Sequence, residues 1–186
     1  MNLYEYQGKR LLGEAGIAIP AGEVVLTPQQ ALEAVSRLGG DTWVVKAQIL
    51  AGGRGRGFIS SNPDLSGICY ARSPADAEQL AGSMLGQSLI TEQTGSSGSK
   101  VSRVYIERAE TPERMLSVSL LVDTRINQPV LVYTANGGSD IEKLARDKPE
   151  DVHTMMLPGD AGIGSAEAGQ ICSNLCLLYT SDAADD

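Results

Sequence analysis

The sequence is short of histidine and cysteine and lacks long apolar runs, and each shortage excludes a class of protein. His153 is the only histidine among 186 residues, so no site can be built from several histidines. The three cysteines form neither a disulfide framework nor a zinc-binding pattern, and we therefore expect a reducing, cytoplasmic setting. No apolar run approaches the roughly 20 residues of a membrane-spanning helix, and residues 1–5 lack the features of a signal peptide.

Positive charge is also scarce, since 15 Lys and Arg stand against 23 Asp and Glu, for a net charge of −8. This balance argues against a general nucleic-acid binder, because affinity for phosphate backbones comes from clustered Lys and Arg. The fractions of 42% apolar and 20% charged residues are typical of a water-soluble globular protein. A chain of this length predicts one domain or two small lobes.

Hydrophobic periodicity and capping signals predict a mixture of helices and strands. The predicted helices are 2–16 (capped by Asn2, with Glu5 completing a capping box and an apolar stripe that includes Leu11 and Leu12), 27–38 (capped by Thr27), 73–86 (starting at Ser73) and 139–147 (capped by Ser139). The predicted strands are 23–26, 43–50, 68–71, 89–92, 101–107, 114–122 and 129–136, and the last two are expected to form a hairpin around 123–128. We expect an irregular stretch at 58–65 and a flexible joint at 94–100. Strands in a row mixed with β-α units favour α+β lobes over a doubly wound sheet.

Lys46 is unusual because it interrupts an otherwise apolar strand. Strand alternation places Lys46 on the same face as Val44 and Gln48. An unpaired buried ammonium is costly, so this side chain must either reach solvent or meet an anion.

A glycine-rich loop, Gly-Gly-Arg-Gly-Arg-Gly at 52–57, begins six residues after Lys46. Its glycines allow backbone N–H groups to approach an anion closely, and Arg54 and Arg56 add donors suited to phosphate oxygens. A strand lysine combined with such a loop is typical of a site for nucleotide phosphates. The loop matches neither the P-loop nor the dinucleotide-binding motif, and an RNA-binding loop is an alternative.

Glu107 ends a predicted strand and shares a face with Arg103, which makes a surface salt bridge one interpretation. A hinge carboxylate that contacts adenine or ribose is the other. Gly137-Gly138 follows a predicted strand, where it could position backbone donors or simply form a tight turn.

Several segments together resemble the β subunits of ADP-forming succinyl-CoA synthetases and of the closely related malate–CoA ligases. The segments that carry the resemblance are Met-Asn-Leu-Tyr-Glu-Tyr-Gln at 1–7, Trp-Val-Val-Lys-Ala-Gln at 43–48, Ala-Gly-Gly-Arg-Gly at 51–55, Leu-Gly at 85–86, Leu-Ile-Thr at 89–91, Val-Tyr-Ile-Glu at 104–107, Leu-Val-Asp at 121–123 and Gly-Gly-Ser-Asp-Ile-Glu-Lys at 137–143. The likeness covers about residues 1–168.

The resemblance implies an ATP-grasp fold, in which two α+β lobes hold ATP between them. One lobe would comprise 1–22 and 101–168, and the other, which carries the glycine-rich flap, 23–100. Lys46 would contact the nucleotide phosphates, and Gly53, Arg54 and Gly55 would cover them. Glu107 would lie near the base or ribose, and Glu110 would be the next nucleotide contact.

The reaction implied by the resemblance is shared between subunits. An acyl phosphate formed from acyl-CoA and phosphate would pass its phosphoryl group to a histidine of an α subunit, and the β subunit would transfer that group to ADP. CoA would bind elsewhere in the complex, and the Mg²⁺ ligands would follow position 168. The substrate would be succinate or, as an alternative, malate, and no nucleic acid or membrane would take part.

Three departures from the family pattern leave open a non-catalytic nucleotide-binding remnant. Met115 stands where relatives carry an acidic residue, and a thioether cannot bind a ribose hydroxyl or a cation in the same way. Residues 58–66 resemble an insertion, and Cys69 replaces a lysine.

The tail 176–186 resembles a translated sequencing adapter, so we expect a truncated, N-terminal fragment whose isolated activity is low or absent.

Overall fold

The computed structural model describes residues 3–138, 141–157 and 162–177, without the side chains of 141 and 142. The chain divides into two compact units, Met1–Thr111 and Pro112–Asp186. Within the described ranges, no helix combines the length and the apolar character needed to cross a membrane.

The first unit contains three helices, eight strands and one short 3-10 turn among its described residues. In chain order they are α1 (Glu5–Glu14), β1 (Gly22–Val25), α2 (Pro28–Leu38), β2 (Trp43–Ala47), β3 (Phe58–Ile59), β4 (Asn62–Ser66), β5 (Ile68–Ala71), α3 (Pro74–Met84), β6 (Ser88–Ile90), the 3-10 turn Gly95–Ser97, β7 (Ser99–Lys100) and β8 (Val104–Arg108).

Helices α2 and α3 begin at the predicted caps. The Thr27 hydroxyl accepts a hydrogen bond from the Gln30 N–H at 3.2 Å, and the Ser73 hydroxyl accepts one from Asp76 at 3.1 Å. A proline follows each cap, where its missing N–H costs nothing. These local signals fix both helix starts.

Helix α1 begins later than predicted, and its cap is Tyr4 rather than Asn2, which lies outside the described residues. The Tyr4 N–H donates to Gln7 Oε1 at 3.0 Å, so Gln7 takes the capping-box role assigned to Glu5. The expected apolar stripe stays about half exposed at Leu11 and Leu12 (49% and 47%). The predicted helix is present, but the residue predicted to cap it was wrong.

The central sheet of the first unit has the strand order β1-β8-β2-β5, and every pairing is antiparallel. Lys46 pairs with Tyr105, and Val44 pairs with Glu107. Since paired residues of antiparallel strands share a face, Lys46 and Glu107 lie on the same side of the sheet. The opposite side is the core side.

The core of the first unit lies between that opposite side and helices α2 and α3. Its buried apolar residues include Val45, Ala47, Val104 and Ile106 from the sheet and Ala31, Val35, Ala77, Ala81 and Met84 from the helices. The core thus occupies one side of the sheet, and the charged side chains of Lys46 and Glu107 lie on the other.

A second sheet, β4-β3-β6-β7, gives regular structure to two segments expected to be irregular. Residues 58–66 form β3 and β4, and β3 also pairs with β6. Residues 94–100, expected to be a flexible joint, contain the 3-10 turn and β7, which pairs with β6. Both predictions failed because β6 supplies hydrogen-bonding partners that are distant in sequence.

The second unit forms a three-stranded antiparallel sheet with helical segments among its described residues. Its elements are β9 (Ser117–Asp123), β10 (Gln128–Thr134), α4 (Ile141–Asp147), the 3-10 turn Pro149–Asp151, β11 (His153–Met156) and α5 (Ser165–Asn174). The β9–β10 hairpin was predicted, whereas β11 and α5 were not. The predicted cap Ser139 and residues 178–186 of the suspected adapter tail lie outside the described residues.

The core of the second unit is small and comprises Leu131, Tyr133, Leu157 and Leu175. Strand β9 stands at the edge of the sheet, in the order β11-β10-β9. Its apolar side chains Val118, Leu120, Leu121 and Val122 are 54–65% exposed. The sheet is therefore well covered at β10 and poorly covered at β9.

The boundary between the two units differs from the predicted lobes, which grouped 101–168 with 1–22. Strand β8 pairs with both β1 and β2 and so belongs to the first unit. The predicted lobes stay a prediction for the arrangement of the complete protein.

Candidate functional site

Lys46 meets two carboxylates on the polar face of the central sheet. Its ammonium donates to Glu107 Oε1 at 2.8 Å and to Glu5 Oε1 at 3.0 Å. Only 14% of the Lys46 side chain is exposed. The lysine is thus paired with anions and does not simply extend into solvent.

Arg54 of the glycine-rich loop also contacts Glu5, through the second oxygen of its carboxylate. Its Nη2 lies 2.6 Å from Glu5 Oε2, and its Nη1 donates to the Ala47 carbonyl at 2.9 Å. Glu5 therefore bridges the strand lysine and the loop arginine, one oxygen to each. The two cations that the sequence assigned to one anion site do lie together.

Lys9, one turn after Glu5 on α1, completes the cluster. It pairs with Glu107 and lies 3.4 Å from Glu5 Oε1. Its ammonium also lies 5.6 Å from the centre of the Tyr105 ring, a distance suited to a cation–π contact. We call the five residues Glu5, Lys9, Lys46, Arg54 and Glu107 the ionic cluster. Three cations and two carboxylates leave it with one excess positive charge.

Within the cluster, Glu5 and Lys46 stay ionised although they are largely buried. Burial opposes the charge of Glu5, but Lys46 and Arg54 outweigh it and lower the pKa of Glu5 from 4.5 to about 2. Burial also opposes the charge of Lys46, but Glu107 and Glu5 outweigh it and raise the pKa of this lysine. Burial, together with Glu107 and Glu5, raises the pKa of Tyr105 to about 12, so its phenol stays protonated.

The glycine-rich loop is a compact turn. The Gly53 carbonyl accepts from the N–H of Arg56 at 3.1 Å and of Gly57 at 2.9 Å, and Gly53 has a φ of +75°, which favours glycine. A Cβ at Gly57 would lie 2.5 Å from the Ile90 carbonyl oxygen, so the loop passes directly against β6.

An open cavity of about 490 Å³ adjoins this loop. Glu5, Gly52, Arg54 and Gln93 line it, together with Leu3 and the apolar segment 49–51. Gln93 fixes the rim, since its Oε1 accepts from the Gly52 N–H at 2.7 Å. The volume falls within the range of small-molecule sites.

The predicted site residues do not all come together. Lys46, Arg54 and Glu107 belong to the ionic cluster, and Gly53 and Gly55 lie in the loop beside it. Glu110 lies outside it: its carboxylate is half exposed and pairs with Arg108 at 3.1 Å.

The sequence predictions missed Glu5 and Lys9 as site residues. Glu5 was assigned to a capping box, and the only local signal was the i,i+4 spacing of the two, which is typical of any surface ion pair on a helix. Lys9 contacts Glu107, which is 98 residues away, and Glu5 contacts Lys46, which is 41 residues away. No local pattern reports such contacts.

The described residues offer no ready-made cluster of metal ligands. No group of three His, Cys, Asp or Glu side chains that could hold a metal ion occurs in residues 3–138, 141–157 and 162–177. The two carboxylates of the ionic cluster are held by Lys and Arg. We therefore assign no step to a metal ion.

Comparison with known proteins places these features in a family. The model of the ATP-grasp domain family matches residues 2–184, a span that includes most of the suspected adapter tail. The β subunit of the ADP-forming succinate–CoA ligase of Cupriavidus necator is 41% identical over 184 residues, and that of Ralstonia pickettii is 39% identical over 175. The matches cover 98% and 94% of this chain but only 45% and 43% of those subunits. The chain thus spans less than half the length of these curated relatives.

Solved structures with a similar fold are more distant in sequence. The acetyl-coenzyme A synthetase 1 of Ca. Korarchaeum cryptofilum, solved with coenzyme A, Ca-AMPCP and HgCl⁺, aligns with a TM-score of 0.66 at 14% identity, covering 97% of this chain and 71% of that one. A second structure of this enzyme, solved with coenzyme A, acetyl-coenzyme A and a phosphorylated phosphohistidine segment, has a TM-score of 0.62 at 15% identity and covers 93% and 65%. At this identity the likeness supports the fold alone. With its α+β architecture, its antiparallel sheets and a family match over nearly its whole length, this chain belongs to the ATP-grasp domain family.

Proposed function

We propose that this chain is the nucleotide-binding part of the β subunit of an ADP-forming succinate–CoA ligase. The observation that carries the proposal is the convergence of Lys46 and Arg54 on one carboxylate beside the glycine-rich loop. Two buried cations at a shared anion position, next to a cavity, are what the phosphates of ATP or ADP require. The β subunits of succinate–CoA ligases at 41% and 39% identity support the choice of reaction.

The physical task of these residues is to position the nucleotide and to neutralise its charge. Lys46 stands on a rigid central strand and contributes a point charge, whereas Arg54 contributes a planar fork of donors from a loop. Phosphoryl transfer passes through a loose transition state that such fixed charges stabilise. Loss of one phosphate donor commonly costs about 3 kcal/mol, or roughly a hundredfold in rate.

The complete enzyme would share the reaction with a partner. In this proposal an α subunit carries the phosphohistidine, and CoA, Mg²⁺ and the acid substrate bind to parts that this chain does not include. The solved structure with a phosphohistidine segment is compatible with that scheme. The cytoplasmic location stays a prediction of the sequence.

Nucleotide binding to the purified chain tests the proposal. We expect Lys46→Met to weaken the binding of ADP and ATP at least tenfold, measured by isothermal titration calorimetry, because it removes one of two buried phosphate donors. The fold should survive, since Glu5 keeps Arg54 as its partner and Glu107 keeps Lys9.

Lys100→Met is the matched control, because Lys100 is an exposed lysine on β7 outside the ionic cluster. It should bind nucleotide as tightly as the unaltered chain. Equal affinities for all three proteins would contradict the assignment of Lys46, and no binding by any of them would contradict the proposed function.

A further inference from the structure

Glu5 occupies the position between two cations that the proposed function gives to a phosphate. Its Oε1 lies 3.0 Å from Lys46 Nζ, and its Oε2 lies 2.6 Å from Arg54 Nη2. A carboxylate that spans an ammonium and a guanidinium imitates two oxygens of a phosphate group in both charge and spacing. The N–H groups of Lys46 and Arg54 that donate to Glu5 cannot donate to a phosphate at the same time.

We propose that Glu5 is an internal anion that holds Lys46 and Arg54 in place in the nucleotide-free protein, and that the polyphosphate of the nucleotide displaces its carboxylate. This inference rests on the proposed function, because it assigns the phosphates to these two cations. A phosphate group that stayed beside Glu5 would face a like charge within a few ångströms, in a site with little solvent to screen it.

Glu5 can leave its position without damage to the helix that carries it. The capping hydrogen bond of α1 is made by Gln7, and the side chain of Glu5 contributes nothing to it. Lys9 lies one turn further on, 3.4 Å from Glu5 Oε1, and can retain the carboxylate after its displacement. The helix thus provides both the internal anion and a second cation to receive it.

Glu107 cannot play the same part. It lies in β8, between β1 and β2, and its side chain is only 9% exposed. Its two oxygens are taken by Lys46 and Lys9. Glu107 therefore keeps Lys46 oriented while Glu5 gives way, and Lys46 and Arg54 then direct the freed N–H donors toward the ligand.

Removal of the Glu5 charge should therefore strengthen anion binding. We expect Glu5→Gln, which preserves shape, to bind inorganic tripolyphosphate and ATP at least fivefold more tightly than the unaltered chain in calorimetric titrations at constant salt. Glu5→Asp, whose side chain is one methylene shorter and holds the carboxylate farther from Lys46 and Arg54, should also bind more tightly. This second variant keeps the test valid if Glu5→Gln folds poorly.

Glu14→Gln is the matched control, because Glu14 lies on the same helix in an exposed pair with Arg10. It removes the same charge and should leave the affinity unchanged. If Glu5→Gln and Glu5→Asp bind tripolyphosphate no more tightly than the control, the displacement is overturned while nucleotide binding by Lys46 stands.

Hydrogen exchange of the loop amides tests the holding role of Glu5 without any ligand, and so independently of the proposed function. If Glu5 holds the loop through Arg54, the amides of Arg56 and Gly57 should exchange several-fold faster in Glu5→Gln than in the unaltered chain. Unchanged exchange would overturn the holding role of Glu5. If no protein binds tripolyphosphate or ATP, both the displacement and the proposed function are overturned.

Discussion

At the scale of single residues, the first unit contains largely buried charged side chains, and their burial would be costly if they lacked partners of opposite charge. Lys46 could be singled out from the sequence because a lysine within an apolar strand needs an anion, and Arg54 because it lies in a glycine-rich loop. Glu5 could not, because its role depends on contacts 41 and 49 residues away. Chemistry that is visible in one segment is predictable, whereas a partner supplied by another element is not.

The ionic cluster should make the first unit sensitive to acid. The pKa of Glu5 falls from 4.5 to about 2 in the folded chain, so the folded state binds this proton more weakly than the unfolded state does. Its contribution is complete above about pH 5 and disappears as the pH falls toward 2; the pKa difference corresponds to at most about 3 kcal/mol. Urea denaturation between pH 7 and pH 3 measures it.

The fluorescence of Trp43 reports on the first unit, because Trp43 is the only tryptophan and is buried in β2. The free energy of unfolding followed by its fluorescence should fall with pH in the unaltered chain and fall less in Glu5→Gln. Glu14→Gln should follow the unaltered chain. A Glu5→Gln profile that is parallel to the unaltered one would show that the cluster does not lower the pKa of Glu5.

At the scale of elements, the outcome of each prediction depended on how local its cause was. Helices α2 and α3 begin at the predicted residues because Thr27 and Ser73 act on N–H groups three residues away. The segment 58–65 was expected to be irregular and the segment 94–100 to be a flexible joint, because neither shows clear strand periodicity. Their regularity comes from β6, which pairs with both β3 and β7.

The contact between the loop and β6 gives an element-scale prediction. Gly57→Ala places a Cβ 2.5 Å from the Ile90 carbonyl oxygen and 2.8 Å from Thr91 Cγ2, so the loop must move away from β6. We expect a loss of about 1–3 kcal/mol in the free energy of unfolding by Trp43 fluorescence, together with weaker nucleotide binding.

Gly8→Ala is the control for this substitution, since Gly8 lies inside α1 and a Cβ there would meet nothing within 4 Å. It should stabilise the chain by about 0.5–1 kcal/mol, because alanine favours a helix interior over glycine. If Gly57→Ala were as stable as Gly8→Ala, the close packing of the loop against β6 would be refuted.

At the scale of the whole molecule, the two units differ in how much core they contain. Among the described residues, the core cluster of the first unit holds 17 buried residues and that of the second unit holds four. The α+β class and the ATP-grasp family were predicted from the sequence and are confirmed. The division at Thr111 was not predicted, because it follows from the pairing of β8 with β1 and β2.

This difference predicts unequal stability within one chain. Amides of β9 and β10 should exchange with solvent at lower denaturant concentrations than those of β2 and β8, because opening the second unit exposes less apolar surface. Native-state hydrogen exchange read by mass spectrometry resolves the two sets of strands. Simultaneous loss of protection in both would show that the units unfold as one.

The uncovered β9 strand also leads us to expect association between copies of the chain at high concentration. Its outer backbone N–H and C=O groups have no strand beside them within the described sheet, and its apolar side chains Val118, Leu120 and Val122 are exposed on one face of the strand. Such an edge templates the addition of further strands from neighbouring molecules. Overexpression should therefore drive the chain toward inclusion bodies, and a lysine placed at the centre of that edge would act as a gatekeeper against aggregation.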